Sequence, residues 1–132
     1  LHVTSTHYDD QIALDLVRGS QRTVAIHGCE GNESVAYIGG SDDRLIELIT
    51  ESLEDIGISV REAPHHISGT QENNIVNMTQ TQGGVQLELT AQLRKELFKN
   101  RKSSRKNREN KDNWDDLMYD FADAMRKAIE RA

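Results

Sequence analysis

Two side chains in this sequence stand where they could do chemistry. His27 follows the short apolar run Thr23-Val24-Ala25-Ile26 and precedes Gly28, so its imidazole is expected at the C-terminal end of a buried strand, with room beside it for a ligand. Neutral imidazole is a common zinc ligand, but the same placement suits a histidine that only hydrogen-bonds to neighbouring backbone. Glu88 lies in Val85-Gln86-Leu87-Glu88-Leu89, where alternation puts the three apolar residues on one face and Gln86 and Glu88 on the other. A carboxylate there either faces solvent or belongs to a site that shifts its pKa toward acid/base duty, because burying it unpaired is costly.

The remaining candidates are weaker. His2 and His7 bracket an expected first strand and His65-His66 sit in a polar stretch, but no pair has the helical spacing of an HExxH motif. Asn73, Asn74, Asn77, Gln80 and Gln82 form an amide-rich segment before the Glu88 strand. Such amides can grip a peptide-like or carboxylate-bearing substrate, or serve as turn residues and caps. Gly39-Gly40 and Gly83-Gly84 lack phosphate-loop and dinucleotide spacing and read as turns.

The elements that must position these residues alternate along the chain. Strands are expected at 1–6, 23–26, 33–38, 58–61 and 85–89. Asp9 or Asp10 is expected to cap a helix carrying Ile12, Leu14, Leu16 and Val17 as far as Gly19. Ser41 begins a helix in which Leu45, Ile46, Ile49, Leu53 and Ile56 recur at helical spacing before Gly57. Residues 91–98 continue as a helix, 100–113 read as a charged loop or linker, and Leu117, Phe121, Met125 and Ile129 mark a terminal helix within 114–132. Strands alternating with helices imply an α/β fold: a mixed, mostly parallel sheet flanked by helices, with sites at strand ends.

Composition narrows the classes. The 132 residues fit a single domain, and at that size roughly two-thirds of the unfolded chain's surface can be buried. A net charge of −6 argues against general nucleic-acid binding, although eight Lys and Arg residues between Lys95 and Lys111 form a local basic run. That run is either a solvated loop or a strip for a polyanion, and it lacks the interleaved aromatics that stack on bases. One cysteine, Cys29, excludes an internal disulfide framework. No apolar run approaches the roughly 20 residues needed to cross a bilayer, and no basic-then-apolar leader is present.

Taken together, several segments carry more than any one. LHVTSTHYDD, VAIHGCE, AYIGGSD and NNIVNMTQTQGGVQLELTAQLRKELF, in this order and at these separations, resemble the phage-type poly-γ-glutamate hydrolase family over about residues 1–98. The resemblance implies a zinc hydrolase with a three-layer α/β fold related to carboxypeptidase-type metallopeptidases, cleaving γ-linked glutamyl amide bonds of a bacterial capsule or slime polymer. It implies Zn2+ as cofactor, poly-γ-glutamate as partner, no nucleic-acid or membrane partner, and a phage or bacterial origin compatible with release into the medium. Within it, His27 completes the zinc site. Glu88 matches the carboxylate that activates the zinc-bound water and passes its proton to the leaving amine. Asn74 and Asn77 match an NI-x-N segment expected near the substrate, with Gln86 as a further contact beside Glu88. The family's His-Gly-Gly stretch with a nearby glutamate, implied to supply the other two ligands, is absent, so an N-terminal part of the hydrolase domain is expected to be missing. Met78 stands where relatives often carry arginine. A truncated, non-catalytic module that binds poly-γ-glutamate or another polyanion is the alternative.

Overall fold

The computed structural model describes residues 4–132. Four strands, β1 (Val24–Cys29), β2 (Val35–Gly40), β3 (Ser59–Glu62) and β4 (Val85–Thr90), form one sheet in the order β1-β4-β2-β3. β1 runs parallel to β4 and β2 parallel to β3, while β2 and β4 are antiparallel. The helices are α1 (Gln11–Arg18), α2 (Asp43–Asp55), α3 (Ala91–Glu96) and α4 (Asp116–Arg131). Each starts at a side chain that accepts an otherwise orphaned backbone N–H: Asp10 from Ala13, Asp42 from Leu45, Thr90 from Leu93 and Asp115 from Leu117. The expected mixed sheet with helices is what the chain forms.

The alternation in β4 decides how the layers are arranged. Val85, Leu87 and Leu89 point into the core, where they join Ala36 and Ile38 of β2, Leu45, Ile49 and Leu53 of α2, and Phe121 and Met125 of α4. Gln86, Glu88 and Thr90 point the other way, yet they too are buried. That face is covered by irregular backbone from the 66–77 region, with α1 against its 3-10 turn Ile75–Asn77. The cover sits close. A Cβ on Gly39 would lie 2.0 Å from the Ser68 carbonyl oxygen, and one on Gly40, whose φ is +118°, would lie 2.2 Å from that of Gly84.

Several boundaries differ from the sequence reading, each for a local reason. Residues 1–3 lie outside the described residues, and the rest of the expected first strand is instead a 3-10 turn, Ser5–His7, closed by the His7 N–H on the Thr4 carbonyl at 3.0 Å. Short hydroxyl side chains favour such local turns over a ladder. β1 does not stop at Ile26, and it is an edge strand with Ile26 54% exposed. It continues through His27 and Gly28 because β4 pairs with it as far as Thr90. β2 starts later than expected and runs on through the two glycines, which pair with Gln86 and Val85. Asp42, not Ser41, caps α2, because its carboxylate is the one that accepts the Leu45 N–H. Residues 100–113 fold back on themselves, closed by a bridge between Phe98 and Trp114. Among the described residues no helix is long and apolar enough to cross a membrane.

Leu87 is fully buried at the centre of the sheet. Leu87→Ala is expected to cost about 2–5 kcal/mol of unfolding free energy, measured by urea titration, as the lost transfer term adds to the cavity left behind.

Candidate functional site

β1 and β4 bring the two leading candidates side by side. In the parallel register His27 pairs with Glu88, so both side chains leave the same face of neighbouring strands. Glu88 is 8% exposed, which settles the choice between a solvated carboxylate and a buried one. Burial pushes its carboxyl above the ordinary range, and the His27 imidazole beside it opposes that shift. Both line a polar hollow of about 400 Å3 together with Gln86, Asn74, His66 and Gln71.

The amides divide into two kinds. Asn74 donates to Gln86 Oε1 at 3.1 Å and accepts from the Val76 N–H, while Gln86 donates to the Ile67 carbonyl at 3.3 Å. The two therefore form one bonded unit on the wall of the hollow. Asn77 lies elsewhere. Its amide donates to the carbonyls of Gly69 and Gln71, closing the covering loop on itself, and accepts from the Gly84 N–H, tying that loop to the start of β4. It does not line the His27–Glu88 hollow. Of the other histidines, His66 lines the hollow, His65 does not, His7 is exposed with Nδ1 2.9 Å from Thr4 Oγ1, and His2 lies outside the described residues.

The register extends the site beyond the residues picked out by sequence. Glu88 pairs with Tyr37 of β2 on its other side, and Tyr37 pairs with Arg61 of β3. His27, Glu88, Tyr37 and Arg61 thus form one row across the sheet, a residue from each strand. Tyr37 and Arg61 gave no sequence signal, because nothing in a short strand's own pattern announces which residue will lie opposite it.

Arg94 of α3 holds the end of this arrangement. Its guanidinium donates to the carbonyls of Leu89 at 3.2 Å and Cys29 at 3.0 Å, across the bare backbone of Gly28. Burial first and the nearby Glu88 second push the Cys29 thiol up, with Arg94 opposing them. Among the described residues no three His, Cys, Asp or Glu side chains converge on one point to hold a metal. These residues therefore do not complete a zinc site. His27 is the imidazole paired with the carboxylate across the strands, and His66 lines the same hollow.

The site is thus a mixed α/β sheet with a largely buried carboxyl beside an imidazole at a polar hollow. The poly-gamma-glutamate hydrolase family model matches residues 1–124, and the chain belongs to that family. It is 36% identical over 100 residues to the SPbeta prophage-derived UPF0714 protein YoqZ of Bacillus subtilis (strain 168), covering 74% of this chain and 36% of YoqZ. The structure of a bacteriophage poly-gamma-glutamate hydrolase superposes with a TM-score of 0.91 at 31% identity, covering 98% of this chain and 62% of that one. The zinc-free apo structure of YNDL superposes with a TM-score of 0.88 at 27% identity, covering 98% and 63%. The chain thus spans between about one-third and two-thirds of the length of these relatives.

The raised pKa of Glu88 carries a stability consequence whose sign is fixed. Below the unfolded carboxyl's pKa both states are protonated and burial costs nothing extra. As pH rises through the higher folded value, the folded state must ionise a buried group and loses stability. Glu88→Gln removes that loss. In metal-free buffer the variant is expected to melt above the wild type at pH 7, with the gap closing near pH 4, as checked by thermal scans at both pH values.

Proposed function

We propose that this protein takes part in hydrolysis of the γ-glutamyl amide bonds of poly-γ-glutamate, with Glu88 as general acid/base and His27 as a zinc ligand. The observation that carries the reading is the His27–Glu88 pairing, which stations a buried carboxyl with a raised pKa beside an imidazole and over a hollow walled by amides. Glu88 takes a proton from the attacking water as the new C–O bond forms at the amide carbon. It returns that proton to the leaving nitrogen as the C–N bond breaks, ending in its starting state. A carboxyl whose pKa lies above the usual range is better matched to the second transfer than an exposed one. Asn74 and Gln86, locked to each other, present fixed amide groups to the substrate. Asn77 acts on the site through the loop it fastens.

Zinc, when bound, supplies polarisation of the scissile carbonyl and acidification of water. Among the described residues His27 would hold it, with further ligands supplied from elsewhere. The lack of a three-ligand cluster among the described residues favours one other reading: a non-catalytic module that binds the polymer without metal.

Metal analysis separates the two. Stoichiometric zinc that falls on His27→Ala is expected for the hydrolase, and none for the module. Where cleavage of poly-γ-glutamate is observed, Glu88→Gln is expected to lower kcat by about 10²- to 10⁴-fold while leaving polymer binding in place. Undiminished cleavage by that variant would remove Glu88 from its role.

A further inference from the structure

The row across the sheet ends in a cation that the proposed chemistry does not use. Arg61 lies two strands from Glu88, roughly 10 Å at the usual strand spacing, and on the same face. Arg61 also lines a second hollow, of about 490 Å3, which runs from Ser68 and Thr70 of the covering loop to Ile46 and Thr50 of α2. The loop that supplies Ser68 and Thr70 supplies His66, Gly69 and Gln71 to the His27–Glu88 hollow, so one loop borders both. Tyr37 stands between Glu88 and Arg61, its phenol beside the guanidinium.

Arg61 already holds a carboxylate. Glu33 Oε2 accepts from its Nη2 at 2.8 Å, with the arginine side chain 51% and the glutamate 73% exposed. A pair this open to water is weak and exchanges readily. Only one of the guanidinium nitrogens is engaged by Glu33, leaving donors for a planar, two-pronged contact with another carboxylate.

We infer that Arg61 is a carboxylate-binding subsite for a glutamyl unit one or two residues along the polymer from the bond at Glu88, and that Glu33 occupies it when substrate is absent. The inference rests on the proposed function and extends it. Standard bond lengths give an extended γ-linked unit a repeat of about 6 Å, so one to two units bridge the distance from Glu88 to Arg61. Each unit carries one free α-carboxylate, the group a guanidinium recognises best. A cation beside the site also offsets locally the long-range repulsion between a chain of net charge −6 and a polyanion.

The subsite and a merely structural ion pair predict opposite patterns. Binding of fluorescently labelled poly-γ-glutamate is followed by anisotropy, together with KM and kcat where the polymer is cleaved, for wild type, Arg61→Ala, Arg61→Lys and Glu33→Gln. Arg61→Ala is expected to weaken polymer binding and raise KM about tenfold with kcat unchanged, and Arg61→Lys to recover part of that loss. Glu33→Gln is expected to strengthen binding by a few-fold, since it removes the competitor and leaves the arginine. Thermal scans verify that all variants fold. Equal weakening by Arg61→Ala and Glu33→Gln, or no change in either, overturns the subsite while the wild type still binds the polymer. A folded wild type that neither binds nor cleaves it overturns the functional reading itself, and the subsite with it.

Discussion

A strand with a neighbour on each side and a layer on each face has little solvent to fall back on, and β4 is such a strand. All six of its residues are buried, so every polar group placed on it must find a partner or shift its protonation. Thr90 meets that demand by donating to the Glu33 carbonyl and accepting from Val35 and Leu93. Gln86 meets it through Asn74 and Ile67. Glu88 meets it by holding its proton more tightly than a solvated carboxyl would. The chemistry assigned to the chain grows from that one constraint.

The covering layer follows from the same strand. A sheet face carrying Gln86, Glu88 and Thr90 is a poor partner for an apolar helix, whereas irregular backbone brings carbonyls and N–H groups that amides can satisfy. This is why the region that looks least ordered in sequence lies close against the sheet at Gly39 and Gln86. Gly39 and Gly69 have no side chain because Ser68 and Gln86 already fill that space. Asn77 spends its whole amide on backbone for the same reason.

Much of this was legible in the sequence, and the boundary of legibility is physical. Apolar periodicity marked α2 and α4, and with a capping aspartate it marked α1, because those signals are local. The alternation in β4 exposed Glu88 as the odd residue in an apolar strand. Pairing is not local. Nothing within the 24–29 segment says that it is an edge or that His27 faces Glu88, and Tyr37 and Arg61 carry no mark until β2 and β3 take their places. Asn77 is instructive in the other direction: its pattern suited a substrate contact equally well as a fastening, and only its three backbone partners show which backbone groups it holds.

The order in which the strands are made differs from the order in which they lie. β4 is the last strand in the sequence, yet it sits between the first and the second. Until residue 90 has left the ribosome, β1 has no described strand to pair with, and β2 and β3 form only a two-stranded fragment. His27 and Glu88, 61 positions apart, become neighbours only when β4 lies between β1 and β2. The pairing on which the proposed chemistry rests is thus a contact between distant parts of the chain, and a stretch of sequence ending before β4 lacks it.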